Sequence, residues 1–120
     1  MSLQTKSAQL PATKGDGIRI CIMRRPDEKV EWDIWMPHLA PSHELLTEYH
    51  KNEINWENFC LRFQDEVIKK ERKYVEILIT LAQAQTVTIL CWEIDPQFCH
   101  RRLLAEECQK KEKKLHVIIR

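Results

Sequence analysis

The stretch TVTILCWEIDPQFCHRRLLAEE, residues 86–107, decides how the chain folds. It begins with an apolar and β-branched run, Thr86 to Leu90, which predicts a buried β-strand. Asp95-Pro96 then predicts the start of a helix, because an aspartate caps free N–H groups and a proline supplies the first helical φ angle. Apolar residues from Leu103 to Cys108 continue with helical spacing. We therefore predict a strand, a short loop and a helix.

The rest of the chain adds elements that suit an α/β fold. Ile18 to Met23 alternates, with three isoleucines on one face, and predicts a strand. Leu115 to Ile119 predicts a closing strand, and residues 3–8 predict either an edge strand or, with the rest of 1–14, a mobile segment. Helices capped by Ser42 and Asn55 lie between the strands. This order predicts right-handed crossovers and a three-layer α/β fold, with a small, mostly parallel sheet flanked by helices.

The composition argues against several classes of function. With 120 residues, of which 43% are hydrophobic, the chain suits one domain over residues 1–120. The net charge of +1 gives no electrostatic case for general nucleic-acid or anionic-membrane binding. No apolar run approaches the ~20 residues of a membrane span, and no secretory signal is visible. Five cysteines, an odd number, predict free thiols in a reducing cytoplasm.

Reactive residue types are concentrated at the predicted strand-to-helix turn. They are Cys91, Glu93, Cys99, His100 and Arg101. In parallel sheets, ligands bind beyond the carboxyl ends of the strands. If the strand at Ile18–Met23 is parallel to the one at Thr86–Leu90, Arg24 and Arg25 leave the sheet at this same edge. The sequence therefore predicts a site here.

The same residues resemble a known family. The segments Cys91-Trp92-Glu93, Asp95-Pro96 and Cys99 to Glu106 are similar to the signature of domain-of-unknown-function family 488 (DUF488). Weaker similarities lie upstream, so that the resemblance covers about residues 3–110. They are Asp16-Gly17 before a strand, Arg24-Arg25-Pro26, Trp35 with Leu39-Ala40-Pro41-Ser42, and Trp56, Phe59 and Phe63.

What the resemblance implies is limited. One branch of the family carries Asp-Arg-x-Trp-Pro-Arg-Gly after the first strand, where this chain has Met23-Arg24-Arg25-Pro26-Asp27. Any role of that aspartate and glycine is therefore not carried over. The resemblance implies a compact α/β domain, but no established reaction and no particular cofactor.

The first functional hypothesis is a site for a small anionic ligand with a reactive thiol. A helix N-terminus attracts anions and lowers the pKa of a cysteine near its first turn, which favours Cys99, with Cys91 as the alternative thiol. In this hypothesis His100 is the base and Glu93 orients it or acts as acid or base. The anion is held by arginines, and tryptophans complete the binding site. These residues are Arg24, Arg25, Arg101, Trp35 and Trp92.

Two further hypotheses have other chemistry. Cys91, Glu93, Cys99 and His100 are all possible zinc or iron ligands, although the spacing is unfamiliar. Adjacent residues 99 and 100 on a helix would also point about 100° apart. The other hypothesis is a nucleic-acid or protein interaction module without catalysis. There, tryptophans near arginines would stack on bases, and the candidates are Trp32, Trp35 and Trp92.

A purely structural interpretation stands beside these hypotheses. A cysteine at a strand end, such as Cys91, is often a small buried hydrophobe. Glu93 and Arg101 can form an ion pair that ties the loop to the helix, and His100 can be a satisfied core residue. Because five such residues lie within a short turn, the sequence favours a functional site.

Overall fold

The computed structural model describes residues 1–120 and contains a five-stranded, all-parallel sheet. The strands are β1 (Ser2–Ser7), β2 (Ile18–Cys21), β3 (Ile34–Trp35), β4 (Thr86–Cys91) and β5 (Val117–Ile118). Their order across the sheet is β3-β2-β4-β1-β5. The strand predicted from Thr86–Leu90, β4, therefore lies at the centre, where its apolar residues are buried on both faces.

One strand was placed wrongly from the sequence. Residues 2–7 do not form an edge strand or a mobile segment, because β1 pairs with β4 on one side and with β5 on the other. The polar residues of β1 have partners in the connecting segment that covers the sheet. Gln4 Nε2 donates to the Gly15 carbonyl, and Lys6 Nζ donates to Asp16. A central strand can therefore carry polar side chains here.

Four α-helices connect the strands. They are α1 (His43–His50), α2 (Trp56–Phe63), α3 (Arg72–Ala84) and α4 (His100–Lys111), with a π-helical segment, Gln64–Lys69, between α2 and α3. The predicted caps are present, since Ser42 accepts the N–H of Leu45 and Asn55 accepts that of Asn58. None of the helices has the length and apolar character needed to cross a membrane.

The three-layer α/β architecture is confirmed. Helices α3 and α4 pack against β1 and β4, where Leu3 and Ile89 contribute to the main core. Because side chains alternate along a strand, Leu90 points to the opposite face, where it packs against Ala8 and Val30 of the connecting segments. These segments form the third layer, which also includes a 3-10 turn at Lys14–Asp16.

Gly17 fixes how this third layer joins the sheet. Its φ angle of 64° lies in the left-handed region, and a Cβ atom added there would lie 2.1 Å from the Thr86 carbonyl oxygen. A larger residue would therefore push the backbone away from β4. The close approach aligns Asp16 with β4, since the Thr88 hydroxyl donates to the Asp16 carbonyl.

Candidate functional site

Two cysteines and a histidine converge where β4 ends and α4 begins. Cys91 is the last residue of β4, Cys99 is the N-cap residue of α4, and His100 is the first residue of that helix. One ligand atom from each, two Sγ atoms and an imidazole nitrogen, lie within 4.8 Å of one another. The sequence argument that residues 99 and 100 diverge was wrong, because Cys99 has an extended backbone (φ −131°, ψ 140°) and precedes the helix.

The reason for this geometry is that Asp95-Pro96 starts a shorter element than predicted. Asp95 caps a 3-10 turn, Pro96–Phe98, by accepting the N–H of Gln97. The chain then extends at Cys99 before α4 begins. This interruption turns the Cys99 side chain toward the end of β4, so that the two thiols meet.

The His100 ring is held by two contacts. Its Nε2 atom lies 2.8 Å from the Ile22 carbonyl oxygen, and it must donate because a carbonyl oxygen only accepts. Its Nδ1 atom lies 3.4 Å from Cys91 Sγ. The ring is buried and packs near Phe63, with centroids 5.6 Å apart. The Ile22 contact therefore fixes the orientation of the ring and leaves Nδ1 for the thiols.

The pKa values of the two thiols shift in opposite directions. The hydrogen bond from the Cys91 side chain lowers the pKa of Cys99, against its burial, and His100 lowers it further. The hydrogen bond with Cys99, together with burial, raises the pKa of Cys91. Of the pair, Cys99 is therefore the thiol that ionises, while Cys91 keeps its proton.

A cavity of about 730 Å³ opens above this cluster. Its floor is formed by Cys91, Cys99 and His100, and one wall is apolar and largely aromatic. That wall consists of Leu46, Tyr49, Trp56, Phe59 and Phe98, and the remaining polar and aromatic lining includes Arg24, Arg25, His43, His50, Trp92 and Glu93. A cavity of this size suits a small organic molecule, for which pockets span about 300–1,000 Å³.

A family comparison covers almost the whole of this structure. The model of DUF488-N3a, described as the active DUF488-N3 subclade, matches residues 3–112. The chain belongs to the DUF488 family. No curated protein and no solved structure matches it.

Arg101 does not line the cavity of this DUF488 chain, although the sequence proposed it for the site. It is fully buried, and its guanidinium donates to the carbonyl oxygens of Glu93 (2.6 Å), Ile94 (3.0 Å) and Arg120 (3.1 and 3.2 Å). The alternative of a Glu93–Arg101 ion pair was also wrong, since only the backbone of Glu93 is contacted. Arg101 therefore holds the loop that follows β4.

The other proposed DUF488 site residues divide between the cavity and its surroundings. Arg24 and Arg25 line the cavity, and Arg24 Nε donates to the Pro41 carbonyl at 2.9 Å. Trp92 lines it too, with 43% of its surface exposed. Trp35 lies outside the cavity lining, where its Nε1 donates to the Met23 carbonyl at 2.7 Å and its ring lies near Trp32.

The aromatic wall is the part of the site that sequence reasoning missed. Tyr49, Trp56 and Phe59 follow helical stripes that predict only core packing. In this DUF488 fold, however, Tyr49 and Trp56 are only half-buried and line the cavity. Phe98 carried no signal, since its position depends on the 3-10 turn.

Proposed function

We propose that the cavity is a binding or enzymatic site for a small anionic molecule, with Cys99 as its reactive thiol. One observation carries the proposal: two sulfur atoms and an imidazole nitrogen lie within 4.8 Å of one another at the floor of a 730 Å³ cavity. A cysteine that served only core packing would be covered by other side chains instead of lining an open cavity. Titratable groups that cluster in a cleft are typical of functional sites.

Each residue of the cluster has a distinct role in this proposal. Cys99 supplies the thiolate that adds to an electrophilic carbon of the ligand, and Cys91 supplies the proton to the atom that gains the electron pair. His100, oriented by the Ile22 carbonyl, accepts and returns a proton at Nδ1. Glu93 and Arg25 lie on the lining, where they contact polar parts of the ligand.

A reducing cytoplasm is the setting that we propose for this chemistry. All five cysteines are free in the structure, and Cys91 and Cys99 lie close enough to be sensitive to oxidation. A reducing compartment would keep both thiols available.

The experiment compares the modification of Cys99 and Cys60 by iodoacetamide, mapped by peptide mass spectrometry. Cys60 is an internal control, because it is more exposed than Cys99 and burial raises its pKa. At about pH 5.5, where an ordinary thiol is almost wholly protonated, Cys99 is expected to react first, and Cys99→Ser should remove only the fast phase. Cys91→Ala should move the pH midpoint of Cys99 modification to a higher pH, because the thiolate loses the hydrogen-bond donor that lowers its pKa. A fast phase that persists in Cys99→Ser would contradict the proposal.

A second candidate function, metal binding, is favoured by one specific observation. Metal-bound histidines usually donate their other ring N–H to a carbonyl or carboxylate, and His100 Nε2 does so to Ile22. Cys91, Cys99 and His100 would then form a Cys2His donor set suited to zinc, which would supply Lewis-acid chemistry. Glu93 is not part of this set.

Metal analysis of the purified protein tests this candidate. About one zinc ion per chain, reduced in His100→Gln, would support a metal centre with these ligands. A zinc content below about 0.1 ion per chain, in protein purified without chelator, would exclude the metal centre and leave the thiol site as the remaining proposal.

A further inference from the structure

We propose that the ligand of this cavity is a planar aromatic molecule that carries an anionic group, either a carboxylate or a phosphate. The aromatic ring would lie against the aromatic wall, and the anion would lie at Arg24 and Arg25. This inference rests on the proposed function, since it names the class of ligand that reaches Cys99.

The aromatic wall is already ordered in a way that suits a flat ring. Trp56 stacks on Phe59, with centroids 4.9 Å apart and planes 12° apart, and Phe98 meets Trp56 edge-on at 5.6 Å. The ring centroids of Tyr49 and Trp56 are also 5.6 Å apart. Because these rings hold one another in place, little conformational entropy would be lost in ordering them when a ligand ring binds. Aromatic rings bind other rings by such stacked and edge-on contacts.

Part of the aromatic lining of the cavity is left exposed by the rest of the chain. Phe98 is 50% exposed and Trp92 is 43% exposed, and both line the cavity. Clustered exposed aromatics rimmed by polar groups are characteristic of binding surfaces. An inorganic anion alone would leave this wall uncovered and most of the 730 Å³ unused.

The charges on the lining favour an anion. Arg24 and Arg25 are exposed, and neither forms an ion pair with a carboxylate. Arg24 is held by the Pro41 and Ala40 carbonyls, which orient the guanidinium without neutralising it. Glu93 is the one carboxylate on the lining, so that two guanidinium charges face one carboxylate charge. Guanidinium groups bind carboxylates and phosphates with paired hydrogen bonds.

The arginines and the thiols also lie at one end of the sheet. Arg24 and Arg25 follow β2, Cys91 ends β4, and these two strands are hydrogen-bonded neighbours. A single ligand can therefore contact the arginines and the cluster together. The position of the aromatic wall on α1, α2 and the 3-10 turn places the ring beside both.

The test measures binding of four related probes by isothermal titration calorimetry. They are naphthoate, naphthyl phosphate, naphthamide, which lacks the charge, and decahydronaphthoate, which lacks the aromatic ring. At least one of the two aromatic anions should bind about 10-fold more tightly than both naphthamide and decahydronaphthoate. Whichever of the two binds better identifies the anionic group. Equal binding of all four probes, or no binding at millimolar concentration, would overturn the inference.

Variants separate this inference from the proposed function. Arg25→Gln should weaken binding of the aromatic anion about 10-fold without affecting naphthamide, whereas Lys29→Gln, an exposed cation outside the cavity, should change neither. If these probes fail to bind while Cys99 still reacts fastest with iodoacetamide, the ligand class is wrong and the thiol site stands. If the probes bind but Cys99 is unreactive, the ligand class stands and the thiol role is wrong.

Discussion

Replacing Asp16 with asparagine is expected to lower the free energy of unfolding by about 3–5 kcal/mol. The Asp16 carboxylate is almost fully buried and bonds to both Lys6 and Arg19, whose side chains are also buried. The variant would leave two buried cations without a counter-charge. Urea denaturation measures the loss, and Asp65→Asn is the control. Because the Asp65–Lys69 pair is exposed, that control should cost less than about 1 kcal/mol.

The same carboxylate should make stability depend on pH. Burial raises its pKa, but hydrogen bonds from the Thr13 N–H and from Lys6, Thr13 and Arg19 side chains outweigh burial and lower the pKa from 3.8 to about 2. A group whose pKa is lower in the folded state stabilises the fold above its unfolded pKa. Stability should therefore fall as the pH drops from about 4 toward 2, and Asp16→Asn should reduce this slope. If the slope of stability against pH were unchanged in Asp16→Asn, this would contradict the assignment of the pH dependence to Asp16.

Replacing Arg101 with methionine is expected to cost about 3 kcal/mol or more, because hydrogen bonds to a charged group are worth about 1.5–3 kcal/mol each. The variant would remove all the guanidinium bonds to the Glu93, Ile94 and Arg120 carbonyls. Chemical denaturation measures the loss, and hydrogen exchange should show faster opening of the loop after β4.

Arg102→Met provides a matched control in the next position. Arg102 is partly exposed and bonds to the Gln97 carbonyl and to Glu106, so its loss should cost about 1 kcal/mol or less. Equal effects of the two substitutions would show that Arg101 does not hold the loop in the way described.

Local signals in the sequence were sufficient for much of the fold. The apolar run of β4 and the caps Ser42 and Asn55 act through neighbouring residues, so their spacing predicts the elements they form. The position of β1 could not be predicted in this way. Its polar residues are satisfied by Gly15 and Asp16, and that pairing depends on how the connecting segment folds over the sheet.

The site shows the same division between local and long-range causes. Cys91, Cys99 and His100 could be selected from the sequence because their residue types cluster at a strand-to-helix turn. The role of Arg101 could not be predicted, since its partners include the Arg120 carbonyl. Nor could the orientation of His100, which depends on Ile22, 78 positions away. Helical periodicity identifies the aromatic face of α2, but it does not show whether that face is covered.

The central claim is that Cys99 is a reactive thiolate at the floor of an open cavity. The most direct test is the ratio of the iodoacetamide rate constants of Cys99 and Cys60 at about pH 5.5, where an ordinary thiol is only about 0.1% ionised. A low-pKa thiolate is intrinsically less nucleophilic, but its far larger ionised fraction should still make Cys99 react faster, by a ratio of about 2–10. A ratio of about 1 or below would contradict the claim.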